Sequence, residues 1–258
     1  MSTMEPSATA SVHSSTAHGI CTITFFHPQS NSLPRQILDE LAQAVTAAGK
    51  DQSHRVVVLQ SAGNRAFCAG ASFDELMAIK TPAEGFIFFS GFSEVIQAIK
   101  NCPLLVICRV QGKAVGGGVG IAAAADYTFA TKHASIKLSE LAIGIGPFVV
   151  GPAVERKLGT ASFSALAIDA TSWRTAHWAH THGLYAEVFD DAESMDQAIA
   201  DLANRLASSS PDAMAELKRT FWKGTEDWAD LLEERAATSG RLVLSEFTRA
   251  AIAQFKKS

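Results

Sequence analysis

No two of the four cysteines, Cys21, Cys68, Cys102 and Cys108, form a CxxC pair, and no Cys/His cluster has zinc spacing. That excludes the common dithiol redox centres and structural zinc sites. The cysteines read as small buried hydrophobes of a reducing compartment. No apolar run reaches the ~20 residues of a membrane helix. The longest, LAIGIGPFVVGPAV at 141–154, is broken by glycine and proline. Positive charge is not in excess: 22 Lys and Arg stand against 26 Asp and Glu, a net of −4, so the basic face of a nucleic-acid binder is not expected. Residues 1–17 hold no Lys or Arg and no apolar core, unlike a signal peptide, and are expected to be a disordered polar tail. A cytoplasmic protein with no membrane or nucleic-acid partner is the expectation.

What is present is a chain of 258 residues, 47% hydrophobic, long enough for a sizeable core. Residues 19–26 read as a strand and HPQSNSL as a turn. Pro34 opens an amphipathic helix to about Gly49, with Ile37, Leu38, Leu41 and Val45 on one face. RVVVLQS (55–61), LLVICRV (104–110) and DYTFAT read as buried strands. The spacing of Phe86, Phe89, Val95, Ile96 and Ile99 predicts a helix over 82–100. Strands alternating with helices, and apolar almost throughout, indicate a parallel sheet covered by helices. Past about residue 190 four amphipathic helical segments follow with no strand between them. Their apolar faces need a partner, and a subunit interface is one candidate.

Two loops after buried strands consist almost entirely of small residues: Ala66-Phe67-Cys68-Ala69-Gly70-Ala71-Ser72 and Gly112-Lys113-Ala114-Val115-Gly116-Gly117-Gly118. Small residues let a ligand or a second backbone approach closely. Glycines opening a helix leave N–H groups at its positive end, suited to a developing anion. Two such loops together can donate two N–H groups to one oxygen. Tight helix–sheet packing explains the same residues without any ligand. The match of 118–123 to G-x-G-x-x-A lacks the strand that should immediately precede it. Neither a GxxxxGK[ST] nor a G-x-S-x-G motif occurs.

Glu140 lies in the apolar stretch KLSELAIGIGP. A carboxylate there must raise its pKa or find a partner. The first outcome is what proton transfer near neutral pH needs. The plainer reading is an exposed turn residue or an ion pair with Lys137.

In their order, Phe67–Ala71, Gly112–Gly118 and Ser139–Gly144 resemble the crotonase (enoyl-CoA hydratase/isomerase) superfamily over residues 18–258. His27-Pro28…Asn31-Ser32-Leu33 and Lys157-Leu158-Gly159 belong to the same pattern. The resemblance implies an α/β fold, a crotonase-type spiral of ββα units over 18–190, with a C-terminal helical trimerisation layer over 191–258. It implies a homotrimer or dimer of trimers acting on an acyl-CoA substrate in fatty acid metabolism. CoA is then part of the substrate, and no cofactor or metal is expected. By the same resemblance, the N–H groups of Ala71 and Gly117 form the oxyanion hole. Ala69, Gly70, Ser72, Phe73 and Gly116 border the thioester, and Phe255, Lys256 and Lys257 contact CoA. Ser72 replaces the family's usual aspartate.

Hydratases of this superfamily carry two glutamates. Glu140 matches the second, and the first falls on Gly120. The aspartate that some isomerases place eight residues beyond the second glutamate falls on Phe148. One carboxylate suffices to move a double bond, taking a proton from C2 and returning it at C4, so an enoyl-CoA isomerase is the leading expectation. A 2-enoyl-CoA hydratase or dehydratase, with branched or methylglutaconyl-type substrates included, stays open. So do decarboxylation or thioester hydrolysis, with Arg109 and Lys113 as candidate anchors for a substrate carboxylate, and a catalytically silent binding protein. Phe86, Phe88, Phe89, Phe92 and Phe148 are either core or acyl-pocket lining.

Overall fold

The structure, a computed structural model, describes residues 9–255. In chain order its elements are β1 (Ser11–Ala17), β2 (Ile20–Phe26), β3 (Ser32–Leu33), α1 (Arg35–Lys50), β4 (Val56–Ser61), β5 (Gly70–Ala71), α2 (Phe73–Ala78) and α3 (Pro82–Asn101). There follow β6 (Leu105–Val110), β7 (Ala114–Val115), α4 (Gly117–Ala124), β8 (Tyr127–Thr131), β9 (Ser135–Lys137), a 3-10 turn (Glu140–Ile143), α5 (Gly151–Ile168) and β10 (Arg174–Thr175). The chain continues through α6 (Ala176–Thr181), β11 (Glu187–Phe189), α7 (Ala192–Ala207), α8 (Pro211–Phe221), α9 (Trp228–Leu242) and α10 (Glu246–Phe255).

The main sheet runs β1-β2-β4-β6-β8-β11, parallel except for β1, which pairs antiparallel with β2. Two small sheets, β10-β9-β7 and β3-β5, stand at the ends where the site loops emerge. β4 and β6 are apolar along their length because both faces are covered. Val57 and Leu59, with Val106, Cys108 and Val110, join the large core under α1 and α3, whereas Val56, Val58 and Ile107 turn to the other face. The helix starts follow local chemistry. Thr81 and Glu84 make a reciprocal capping box at α3, and Pro82 occupies its first turn.

Two expectations change. Residues 11–17, expected as tail, form β1, an edge strand whose mostly exposed side chains leave no hydrophobic alternation to read. His54 fastens it, with its Nε2 2.9 Å from Thr16 Oγ1. The C-terminal helices are also less outward-facing than expected. α7 seals the second face of the sheet through Met195, Ile199 and Ala203, so it belongs to the core. α9 crosses α3 backbone to backbone, since a β-carbon on Gly85 would stand 2.7 Å from Gly240 Cα. The apolar side chains left outside include Leu217 and Phe221 of α8 and Phe247 of α10.

Candidate functional site

Three loops meet beyond the C-terminal ends of β4 and β6, the usual position of ligands in parallel sheets. The 66–71 loop lies directly on the 112–118 loop. The N–H groups of Phe67 and Cys68 donate to Lys113 O at 2.9 and 3.2 Å, and Val115 N–H donates to Cys68 O at 2.9 Å. The contact is too close for larger residues, because a β-carbon on Gly118 would stand 2.7 Å from Cys68 Cβ. Buried Asn31 ties the β2–β3 turn into this pair: its Nδ2 donates to Ala62 O and Ala66 O, and its carbonyl accepts from Ala69 N–H. Gln111 Nε2 donates to Ser61 Oγ and to the carbonyls of Gly63 and Ala66.

This scaffold aims two backbone donors. In the β3–β5 register Ser72 N–H donates to Leu33 O, so the N–H of Ala71 turns away from β3. Gly117 is the first residue of α4, and its N–H has no acceptor within the helix. Gly116, just before it, has φ +50°, a conformation that favours glycine. Phe92 packs immediately behind Gly117, where any β-carbon would run into its ring.

The third loop brings the acid. Gly116 N–H donates to Lys137 O, which sets the start of the Glu140 turn beside Gly116. A β-carbon on Gly116 would stand 2.8 Å from Glu140 Oε1, so the glycine makes room for the carboxylate. Glu140 Oε2 is shielded from solvent and has no hydrogen-bond partner. Burial pushes the Glu140 carboxyl up to about 7, opposed by its own backbone N–H. The expected ion pair with Lys137 does not form. Lys137 Nζ instead lies 4.5 Å from the ring centre of half-exposed Trp173, and Lys113 Nζ lies 4.9 Å from the same ring.

The position of the missing glutamate is closed as well as empty. A β-carbon on Gly120 would stand 2.5 Å from Val150 Cγ1, and α4 is buried along its whole length. The glycines of α4 therefore serve close packing, with no crevice for a dinucleotide. Ser72 is the N-cap of α2, accepting from Glu75 N–H, and Phe73 begins that helix. Phe148 packs on Gly146. Phe88 and Phe92 are buried, while Phe86 and Phe89 are half-buried against the core.

Some expected residues lie elsewhere. Arg109, a candidate carboxylate anchor, makes a two-pronged ion pair with Asp196 of α7, Nε to Oδ1 at 2.5 Å and Nη2 to Oδ2 at 3.1 Å. Lys157 donates to Asp126 O. Phe255 ends α10, and Lys256 and Lys257 lie outside the described residues. A groove of about 890 Å³ between α1 and α3, lined by Arg35, Thr46 and Glu94 among others, includes none of the site residues. Among the described residues no group of three or more His, Cys, Asp and Glu is placed to hold a metal ion, and no helix is long and apolar enough to cross a membrane. The sequence did not single out Val150 as the plug behind Gly120, nor Phe92 as the prop behind Gly117, because both are ordinary apolar residues distant in the chain.

Residues 15–252 match the profile of the enoyl-CoA hydratase/isomerase family. A probable enoyl-CoA hydratase of Bacillus subtilis is 29% identical over 200 residues, 77% of this chain and 76% of that protein. The mitochondrial methylglutaconyl-CoA hydratase of Rattus norvegicus is 31% identical over 205 residues, 76% of this chain and 63% of that protein. The crystal structure of an enoyl-CoA hydratase from Bacillus halodurans superposes with a TM-score of 0.87 at 19% identity, covering 94% of this chain and 99% of that one.

Proposed function

The chain belongs to the enoyl-CoA hydratase/isomerase family, and from that premise we propose that it moves a double bond in an acyl-CoA thioester with Glu140 as the sole proton carrier. Glu140 takes a proton from C2 of a 3-enoyl-CoA, and the electron pair moves through the carbonyl. The charge settles on the thioester oxygen, where the N–H groups of Ala71 and Gly117 donate to it. The same carboxyl then delivers the proton to C4, leaving the 2-enoyl product. A carboxyl poised near 7 serves both halves of this cycle. Ala69, Gly70, Ser72, Phe73 and Gly116 border the thioester in this reading.

The observation that carries the proposal is the count of carboxylates. Glu140 Oε2 is shielded and free, and the place of a second acid is packed with Val150. A second reading, addition or removal of water, is favoured by the names of the relatives. Matched 3-enoyl-, 2-enoyl- and 3-hydroxyacyl-CoA substrates separate the two. Isomerisation gives a rise in ultraviolet absorbance from the conjugated product and no solvent oxygen in it. Rapid incorporation of labelled water into a 3-hydroxyacyl product, comparable with any isomerisation, would replace the first reading by the second. A trimer, or a dimer of trimers, joined through the apolar residues left exposed on α8 and α10 belongs to the same reading, and light scattering showing a stable monomer would remove it.

A further inference from the structure

The 3-10 turn that carries Glu140 ends at Gly144, which has φ +80° and sits directly under α10. A β-carbon on Gly144 would stand 2.5 Å from Phe247 Cδ1 and 2.6 Å from Thr248 Oγ1. Thr248 is completely buried, and Ser245 Oγ accepts its backbone N–H at 3.2 Å. Farther along the helix, Ile252 enters an apolar cluster with Leu76, Phe88, Ile145 and Val243. Ile145 closes the path back to the acid, since its N–H donates to Glu140 O at 3.0 Å. α10 is thus one residue contact away from the backbone of Glu140 on two sides, through Gly144 and through Ile145.

The charged groups around the turn are otherwise engaged or outward. Glu246 and Arg249 of α10 are exposed. On α5, Glu155 accepts from Thr160, Arg156 lies over the Trp222 ring, and Lys157 reaches Asp126 O. Lys137 lies on Trp173. α10 therefore acts on the turn by packing rather than by charge.

Resting on the reading of Glu140 as the proton carrier, we propose that α10 is a clamp on the Glu140 turn, with Gly144, Phe247, Thr248 and Ile252 as positioning residues. The clamp keeps the carboxyl aimed beside Gly116 and out of water.

Three full-length variants test it. Gly144→Ala wedges α10 off the turn, Gly144→Ala with Phe247→Ala removes the nearest clash, and Ile252→Ala loosens the helix from the far side. For Gly144→Ala the expected result is a fall in kcat on the order of 10²-fold, the cost of misplacing a reacting group by about 1 Å, with KM nearly unchanged and partial recovery in the double variant. A second readout needs no turnover: the protonated carboxyl infrared band of Glu140 at pH 6, identified by its loss in Glu140→Gln. It should be present in wild type and weakened in Gly144→Ala and Ile252→Ala. Folded variants that keep both the band and wild-type kcat overturn the clamp. A weakened band in a protein whose wild type turns over no acyl-CoA supports the clamp and overturns the function it was built on.

Discussion

Two shielded carboxylate groups lie off opposite ends of β6, and they are treated in opposite ways. Asp126, at the N-terminal end, is saturated. It accepts from Val106 N–H at 2.8 Å and Trp222 Nε1 at 3.2 Å, and pairs with Lys218 Nζ at 3.0 Å, while Lys218 also donates to Leu104 O. Glu140, at the C-terminal end, keeps one oxygen with no partner. Satisfied polar networks fix structure, and an unsatisfied buried acid is a cost that only chemistry explains. The fold locks α8 to the sheet with one carboxylate and leaves the other able to exchange a proton.

The largest effect expected from breaking this comparison is at Glu140. Glu140→Gln should lower activity by about 10²–10⁴ in a protein that still folds. Stability should move the other way with pH. The folded carboxyl sits at about 7, above its ordinary 4.5, so its contribution is present below 4.5 and is lost as pH rises through 7. That loss is about 3 kcal/mol, and Gln removes it. Urea titrations at pH 4 and pH 8 should show wild type losing stability relative to the variant at the higher pH.

At the other carboxylate the currency is stability alone. Lys218→Met leaves the charge of Asp126 buried and unpaired, and should cost about 3–5 kcal/mol in urea unfolding. Adding Asp126→Asn should recover much of it. At temperatures where the single variant stays folded, its kcat should equal wild type.

Gly117→Val tests the donors between the two. The new side chain strikes Phe92 from behind, so it displaces the start of α4 rather than crowding the thioester directly. Loss of one donor lowers kcat by about 10²–10³. In a Phe92→Ala background, Gly117→Ala should be better tolerated than in wild type. If Gly117→Val is as active as wild type, the oxyanion is held elsewhere.

The smallest effect is at Arg109. Its pairing with Asp196 makes it a strut between β6 and α7, so Arg109→Leu should cost about 1–3 kcal/mol and leave KM for every acyl-CoA unchanged.

The legibility of the sequence followed the same divide between local pattern and remote packing. The central strands, α1 and α3 were readable because their apolar spacing reflects one environment repeated along the chain. Two of the three site loops were readable as strings of small residues, and Glu140 of the third as an acid in an apolar run. What escaped reading depended on a distant partner. β1 has no apolar face of its own and is defined by its hydrogen bonds to β2. α7 looked like an outward helix because its amphipathic pattern names a buried face without naming the sheet beneath it. The closure of the Gly120 position required Val150, thirty residues away, and nothing in either residue type announces that meeting.

Trp173, held between two lysines at the rim of the site, has an optical consequence. Lys113 belongs to the loop of Gly117 and Lys137 to the strand before Glu140, so this indole is in contact with both arms of the site. Trp222 and Trp228 are buried edge to face against one another, away from solvent. Iodide, drawn by the two ammonium groups, should reach Trp173 well before it reaches that pair. The quenchable emission that Trp173→Phe removes, which sets aside half-buried Trp178 on His182, then becomes an intrinsic gauge of whether the two arms move together when a thioester enters, with no label attached and no turnover required.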